Sequence, residues 1–134
     1  MATTIKSENR LINASAKEVF DYLNDFNNIK DLLPPDKISD WQSDKDQCSF
    51  KVQNAAVIPL IKESVEEPSR INIVSGEKAP FPFTLVVHLD ADGENTNGHM
   101  VFEGEINAFL KMMVVTPLTN LFNYMGKELQ EKFQ

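Results

Sequence analysis

Apolar and polar positions along the chain change period twice. From Thr3 to Ile12 they alternate imperfectly, as in a strand, and then Ser15-Ala16-Lys17-Glu18 sets a capping serine three residues ahead of a glutamate. Val19, Phe20, Leu23 and Phe26 follow at helical spacing, which predicts a short helix from Ala16 to about Asp25 with its apolar stripe inward. Asn24 to Asn28 interrupts it. A second short helix, Ile29 to Leu33, stops at Pro34-Pro35, because proline lacks a backbone donor and forces the residue before it out of helical geometry.

From Ile38 to Ala108 the period is two, with turn residues between the runs, so five or six antiparallel strands are expected. Cys48, Phe50 and Val52 share one face of an early strand. In later ones Phe83, Leu85, Val87 and Leu89 oppose Thr84, Val86, His88 and Asp90, and Met100, Phe102, Gly104 and Ile106 oppose Val101, Glu103, Glu105 and Asn107. Gly93 and Gly98 bracket a polar hairpin connection between these two strands. Helical spacing then returns from Leu110 through Met113, Leu118, Phe122 and Met125 to Phe133. This is a long amphipathic helix with a kink or break expected near Val114 to Pro117. A sheet with one dry face and a helix with one apolar stripe must bury each other, which makes the fold α+β.

At 134 residues the chain has the size of one domain, here residues 1–134. Its net charge is −7 and neither half is basic, so the lysine and arginine clusters that attract nucleic acid and anionic membranes are missing. The expectation is no nucleic-acid partner. No run approaches the ~20 apolar residues of a membrane span, the first residues do not resemble a secretory signal, and Cys48 is the only cysteine. Together these predict a cytoplasmic location.

The element order resembles the helix-grip fold of the START-like superfamily, also called SRPBCC or polyketide-cyclase-like. The resemblance rests on Ile12-Asn13-Ala14-Ser15-Ala16-Lys17-Glu18-Val19-Phe20, on Leu33-Pro34-Pro35 followed by Trp41, and on Asn107-Ala108-Phe109-Leu110-Lys111-Met112-Met113 continuing to Pro117-Leu118. It implies a curved antiparallel sheet wrapped around the long C-terminal helix, two short helices after the first strand, and a hydrophobic cavity between sheet and helix. Candidate cavity-lining residues are Phe50, Val52, Ile73, Val87, Met100, Phe102, Met113 and Phe122. Each also suits a plain packed core. Entry is expected near Leu33-Pro34-Pro35 and Phe81-Pro82-Phe83.

Candidate chemistry is sparse. Alternation puts Cys48 on an apolar face and His88 on a polar one, so they do not form a nucleophile and base. His99, beside Gly98, reads as a turn imidazole, and neither histidine has a partner at metal-ligand spacing. Asp90-Ala91-Asp92-Gly93-Glu94-Asn95 lacks the register of a calcium loop, and Glu66-Glu67, Glu103 and Glu105 read as solvated charge. Tyr22, Arg70, Asn107 and Tyr124 are the polar residues nearest apolar segments. The expectation is therefore no catalytic residue, no metal and no cofactor. The leading function is a binding protein, monomeric or homodimeric, for a hydrophobic or lipid-like small molecule. Two alternatives stand beside it: a cyclase- or dehydratase-like enzyme with an isolated polar group in its cavity, and an interaction module of the chaperone-activator kind.

Overall fold

The computed structural model describes residues 2–53 and 56–134. Eleven elements run in the order β1 (Thr3–Lys6), β2 (Arg10–Ile12), α1 (Ala16–Asn24), a 3-10 helix (Phe26–Leu32), β3 (Ile38–Ser43), β4 (Gln47–Val52), β5 (Val57–Glu66), β6 (Arg70–Ser75), β7 (Phe83–Asp92), β8 (Asn95–Gly104) and α2 (Ala108–Lys132). The strands form one antiparallel sheet in the order β1-β8-β7-β6-β5-β4-β3, with β2 also paired to β8. The expected meander is thus six strands, β3 to β8; its link through residues 54 and 55 lies outside the described residues.

The opening strand is two strands. β1 pairs with β8 as far as Lys6 opposite Val101, and β2 resumes with Arg10 opposite Gly98. Between them Ser7 substitutes its side chain for ladder geometry. Its backbone N–H donates to Met100 O at 2.9 Å, and its Oγ accepts from Met100 N at 2.8 Å. Both bonds are shielded from water.

Ser15 caps α1 as expected, with Oγ accepting from Glu18 N at 3.2 Å and donating to Glu18 Oε1 at 3.3 Å. The interruption after α1 shrinks to Asp25. That residue ends α1 in an extended conformation and its carboxylate accepts from Asn27 N at 3.0 Å, so the second helical segment starts at Phe26 and is 3-10. It ends at Leu32, with Leu33 extended ahead of the prolines.

The β7–β8 hairpin turns on Gly93 and Glu94, with Asp92 opposite Asn95 and Gly93 at φ +62°. Gly98 does not bracket the turn. It lies inside β8, where an added Cβ would sit 3.1 Å from Ile12 Cδ1.

The predicted break in the last helix is absent: α2 is continuous through Pro117. A proline inside a helix costs about 3 kcal/mol. Against that, Val114, Leu118, Leu121, Phe122, Met125 and Leu129 are all buried. Each such side chain contributes ~1.5–3 kcal/mol, so docking outweighs the lost bond several-fold. Asn107 starts this helix by accepting from Leu110 N at 2.9 Å. α2 packs across β1, β2, β8 and the 3-10 helix, while α1 lies against β7 and β8. The core fills the space between them and the concave face of the sheet.

Candidate functional site

Alternation directs Leu60 of β5, Ile71 and Ile73 of β6, Leu85, Val87 and Leu89 of β7 and Met100 of β8 toward the helices. Leu23 of α1, Phe26 and Ile29 of the 3-10 helix, and Met125 and Leu129 of α2 face them. These side chains leave an internal cavity of about 40 Å³, with almost wholly apolar walls. A water needs ~10–15 Å³ on this scale, so the space takes a few atoms, not a drug-sized molecule.

One edge of the cavity lies where β8 passes from β1 to β2, beside two residues whose side chains end in polar groups. Ser7 and Arg10 border it there, while the imidazole of the neighbouring His99 turns to the opposite face of the sheet, onto His88. The serine is tied to Met100 by its N–H and its Oγ, and its hydroxyl donates to Glu8 O at 3.5 Å. Arg10 shares the inward face of β2 with Ile12, while Leu11 between them is exposed. Its stem runs beside Gly126 of α2, whose absent Cβ would lie 3.5 Å from Arg10 Cγ. The guanidinium bridges sheet and helix: Nη1 donates to Gln130 Oε1 at 3.3 Å and Nη2 to Glu8 Oε2 at 3.1 Å. Nε is buried and finds no acceptor among the described residues.

The eight expected lining residues divide. Ile73, Val87 and Met100 border the cavity. Phe102 and Phe122 pack with ring centroids 5.7 Å apart, and Phe102 stacks on Phe83 at 5.1 Å, so these rings fill space instead of enclosing it. Phe50 is buried beneath Trp41, 5.9 Å between centroids. Val52 borders a separate surface groove of about 480 Å³ with Pro34, Pro117, Leu121 and Tyr124. Met113 is a correction. It is 44% exposed, because it falls outside the α2 stripe that runs from Val114 through Leu118 to Leu129. The groove does lie beside Pro34, where entry was expected, but Phe81 and Phe83 are buried and border neither space.

Arg10 and the helical wall were missed. The signal for Arg10 was its place two residues before Ile12, which puts both on one strand face.

The other polar candidates have structural partners. Tyr22 Oη donates to Asn28 O at 3.3 Å, its ring meets Phe133 edge-on at 5.9 Å, and burial ahead of the nearby Asp31 pushes its phenol up to about 12. Arg70 pairs with Glu66 at 3.1 Å. Burial, reinforced by Asp44, pushes the Cys48 thiol up to about 12, so it stays protonated and unreactive. His88 and His99 stack with centroids 4.7 Å apart, and burial followed by His99 and Arg70 holds the His88 imidazole below its usual range. Among the described residues no three His, Cys, Asp or Glu side chains cluster to hold a metal, and no helix is long and apolar enough to cross a membrane.

The chain matches no protein-family model and no curated protein. Solved structures do match over nearly its whole length. A START superfamily protein of Mycobacterium smegmatis is 14% identical, with 97% of this chain and 96% of that one covered and a TM-score of 0.74. A protein from Thermus thermophilus is 15% identical over 98% and 97%, at 0.77. A point mutant of norcoclaurine synthase from Thalictrum flavum, in complex with a transition-state analogue, is 12% identical over 99% and 94%, at 0.78. The fold of this chain is the START-like helix grip.

Proposed function

We propose that this chain is a binding protein that holds a hydrophobic or amphipathic small molecule between the concave sheet face and α2. The observation that carries this reading is the apolar cavity bordered on one edge by Ser7 and Arg10. The volume of about 40 Å³ is that of the resting cavity. A ligand widens it by displacing Met100 and Met125, whose unbranched thioether chains change rotamer at low cost, together with the last turns of α2. Each 100 Å² of apolar ligand surface buried contributes ~2.5 kcal/mol, so a chain of several methylenes supplies the driving force without a polar network.

Native mass spectrometry of the purified protein, before and after denaturation and organic extraction, tests the reading. A bound mass that disappears on denaturation supports it. A clean protein mass, with no thermal shift from fatty acids, alcohols or aromatic metabolites, overturns it.

One observation favours a second reading, the interaction module. Phe109 and Met112, at the start of α2, are 71% and 86% exposed beside the half-exposed Met113. Contiguous exposed apolar side chains of this kind suit a protein partner. Under that reading the apolar panel produces no shift, and replacing Phe109 and Met112 with serine abolishes partner capture.

A further inference from the structure

Resting on the binding reading above, we propose that the ligand is an aliphatic monocarboxylate and that Arg10 binds its carboxylate while the chain occupies the cavity. Among the described residues Arg10 is the one charged side chain that borders the cavity, and it stands between the apolar interior and water, with its side chain 27% exposed. A guanidinium presents five donors in a planar fork and binds a carboxylate through two parallel N–H groups. In this structure the fork is incompletely used. Nη1 meets the neutral amide oxygen of Gln130, whose own Nε2 is committed to Leu11 O at 2.9 Å. Nη2 meets Glu8, a side chain 67% exposed that can turn into solvent. Nε is buried without an acceptor among the described residues.

Nε and Nη2 form one edge of the fork. A ligand carboxylate placed there satisfies Nε and replaces Glu8 on Nη2, so Glu8 acts as the occupant of an empty site and as the competitor for a filled one. A carboxylate fits better than a phosphate monoester, because one guanidinium balances a single negative charge in a chain of net charge −7. The attached chain runs past Ser7 toward Met100, Met125 and Leu129.

Isothermal titration calorimetry of the full chain with octanoate and with octanol tests this, using the native sequence, R10M and E8Q. Octanoate binds the native chain more tightly than octanol does. R10M, which keeps the apolar stem, weakens octanoate by about tenfold or more and octanol by much less, so the preference for the acid over the alcohol collapses, as loss of a charge-assisted pair requires. E8Q tightens octanoate a few-fold by removing the competitor. Equal affinity of native protein for acid and alcohol overturns the carboxylate assignment and leaves the binding reading intact. Absence of binding by both overturns the two together. If R10M does not fold, the native acid-to-alcohol ratio and the E8Q response decide.

Discussion

Truncating Leu129 to alanine enlarges the cavity from the α2 side and tests whether the last turns of that helix close it. Leu129 is buried and borders the cavity opposite the sheet. The change removes three carbons, worth about 2.4 kcal/mol at ~0.8 kcal/mol per methylene. Space that fails to collapse adds ~24 cal/mol per Å³. Leu129 lies one turn from the helix end, where the backbone yields more readily than mid-helix, so the loss falls at about 2.5–3.5 kcal/mol. Urea unfolding followed by the fluorescence of Trp41, the single tryptophan, measures it. The new space joins an existing apolar cavity, so a saturating apolar probe at ~100 times its Kd restores ~2.7 kcal/mol in the variant. A loss below about 1 kcal/mol refutes the reasoning, since it means that Leu129 does not close the interior. A full loss that no probe relieves means that the space collapses instead of opening.

Three further outcomes follow from the geometry. Ser7→Ala leaves the buried Met100 N–H without its side-chain acceptor and lowers stability by about 1–3 kcal/mol in denaturant titration; an unchanged midpoint shows that this bond is dispensable. Cys48, with its thiol pushed up to about 12 by burial, resists iodoacetamide at about pH 8 in the folded protein and reacts in denaturant; rapid labelling of the native chain contradicts its buried placement. His88 is held below its ordinary range, so the unfolded chain takes up its proton at a higher pH than the folded one. The stability tied to this group is complete above the unfolded value near ~6.5 and is lost as the pH falls from there toward the folded value. Urea midpoints across that interval decline in the native chain and flatten in H88Q, and an equal decline in both assigns the effect elsewhere.

Local rules made much of the fold legible. Ser15 and Glu18 announced α1, period-two alternation assigned inward and outward faces from Cys48 to Ile106, and the Gly93 turn followed from its polar surroundings. Misread elements were those settled by distant partners. Ser7 divides the first strand by bonding to Met100, far along the chain, and α2 survives Pro117 because its stripe docks on the sheet. The site was legible only by face. Alternation turned Ile73, Val87 and Met100 inward, where they border the cavity, but no periodicity separates them from Phe102 and Phe122, which differ only in where their rings meet. Arg10 escaped because a charged strand residue is ordinarily turned outward, whereas Ile12 fixes this face inward and Gly126 leaves room for the stem.

Methyl-labelled methionine NMR tests the central claim most directly, because the methionines sample both surfaces. Met100 and Met125 border the cavity, and Met112 and Met113 lie on the exposed start of α2. On titration with octanoate and octanol, the Met100 and Met125 methyl signals shift saturably and those of Met112 and Met113 stay unmoved if the ligand is held between the sheet and α2. Shifts confined to Met112 and Met113, or none at any of the four, contradict a ligand held between the sheet and α2.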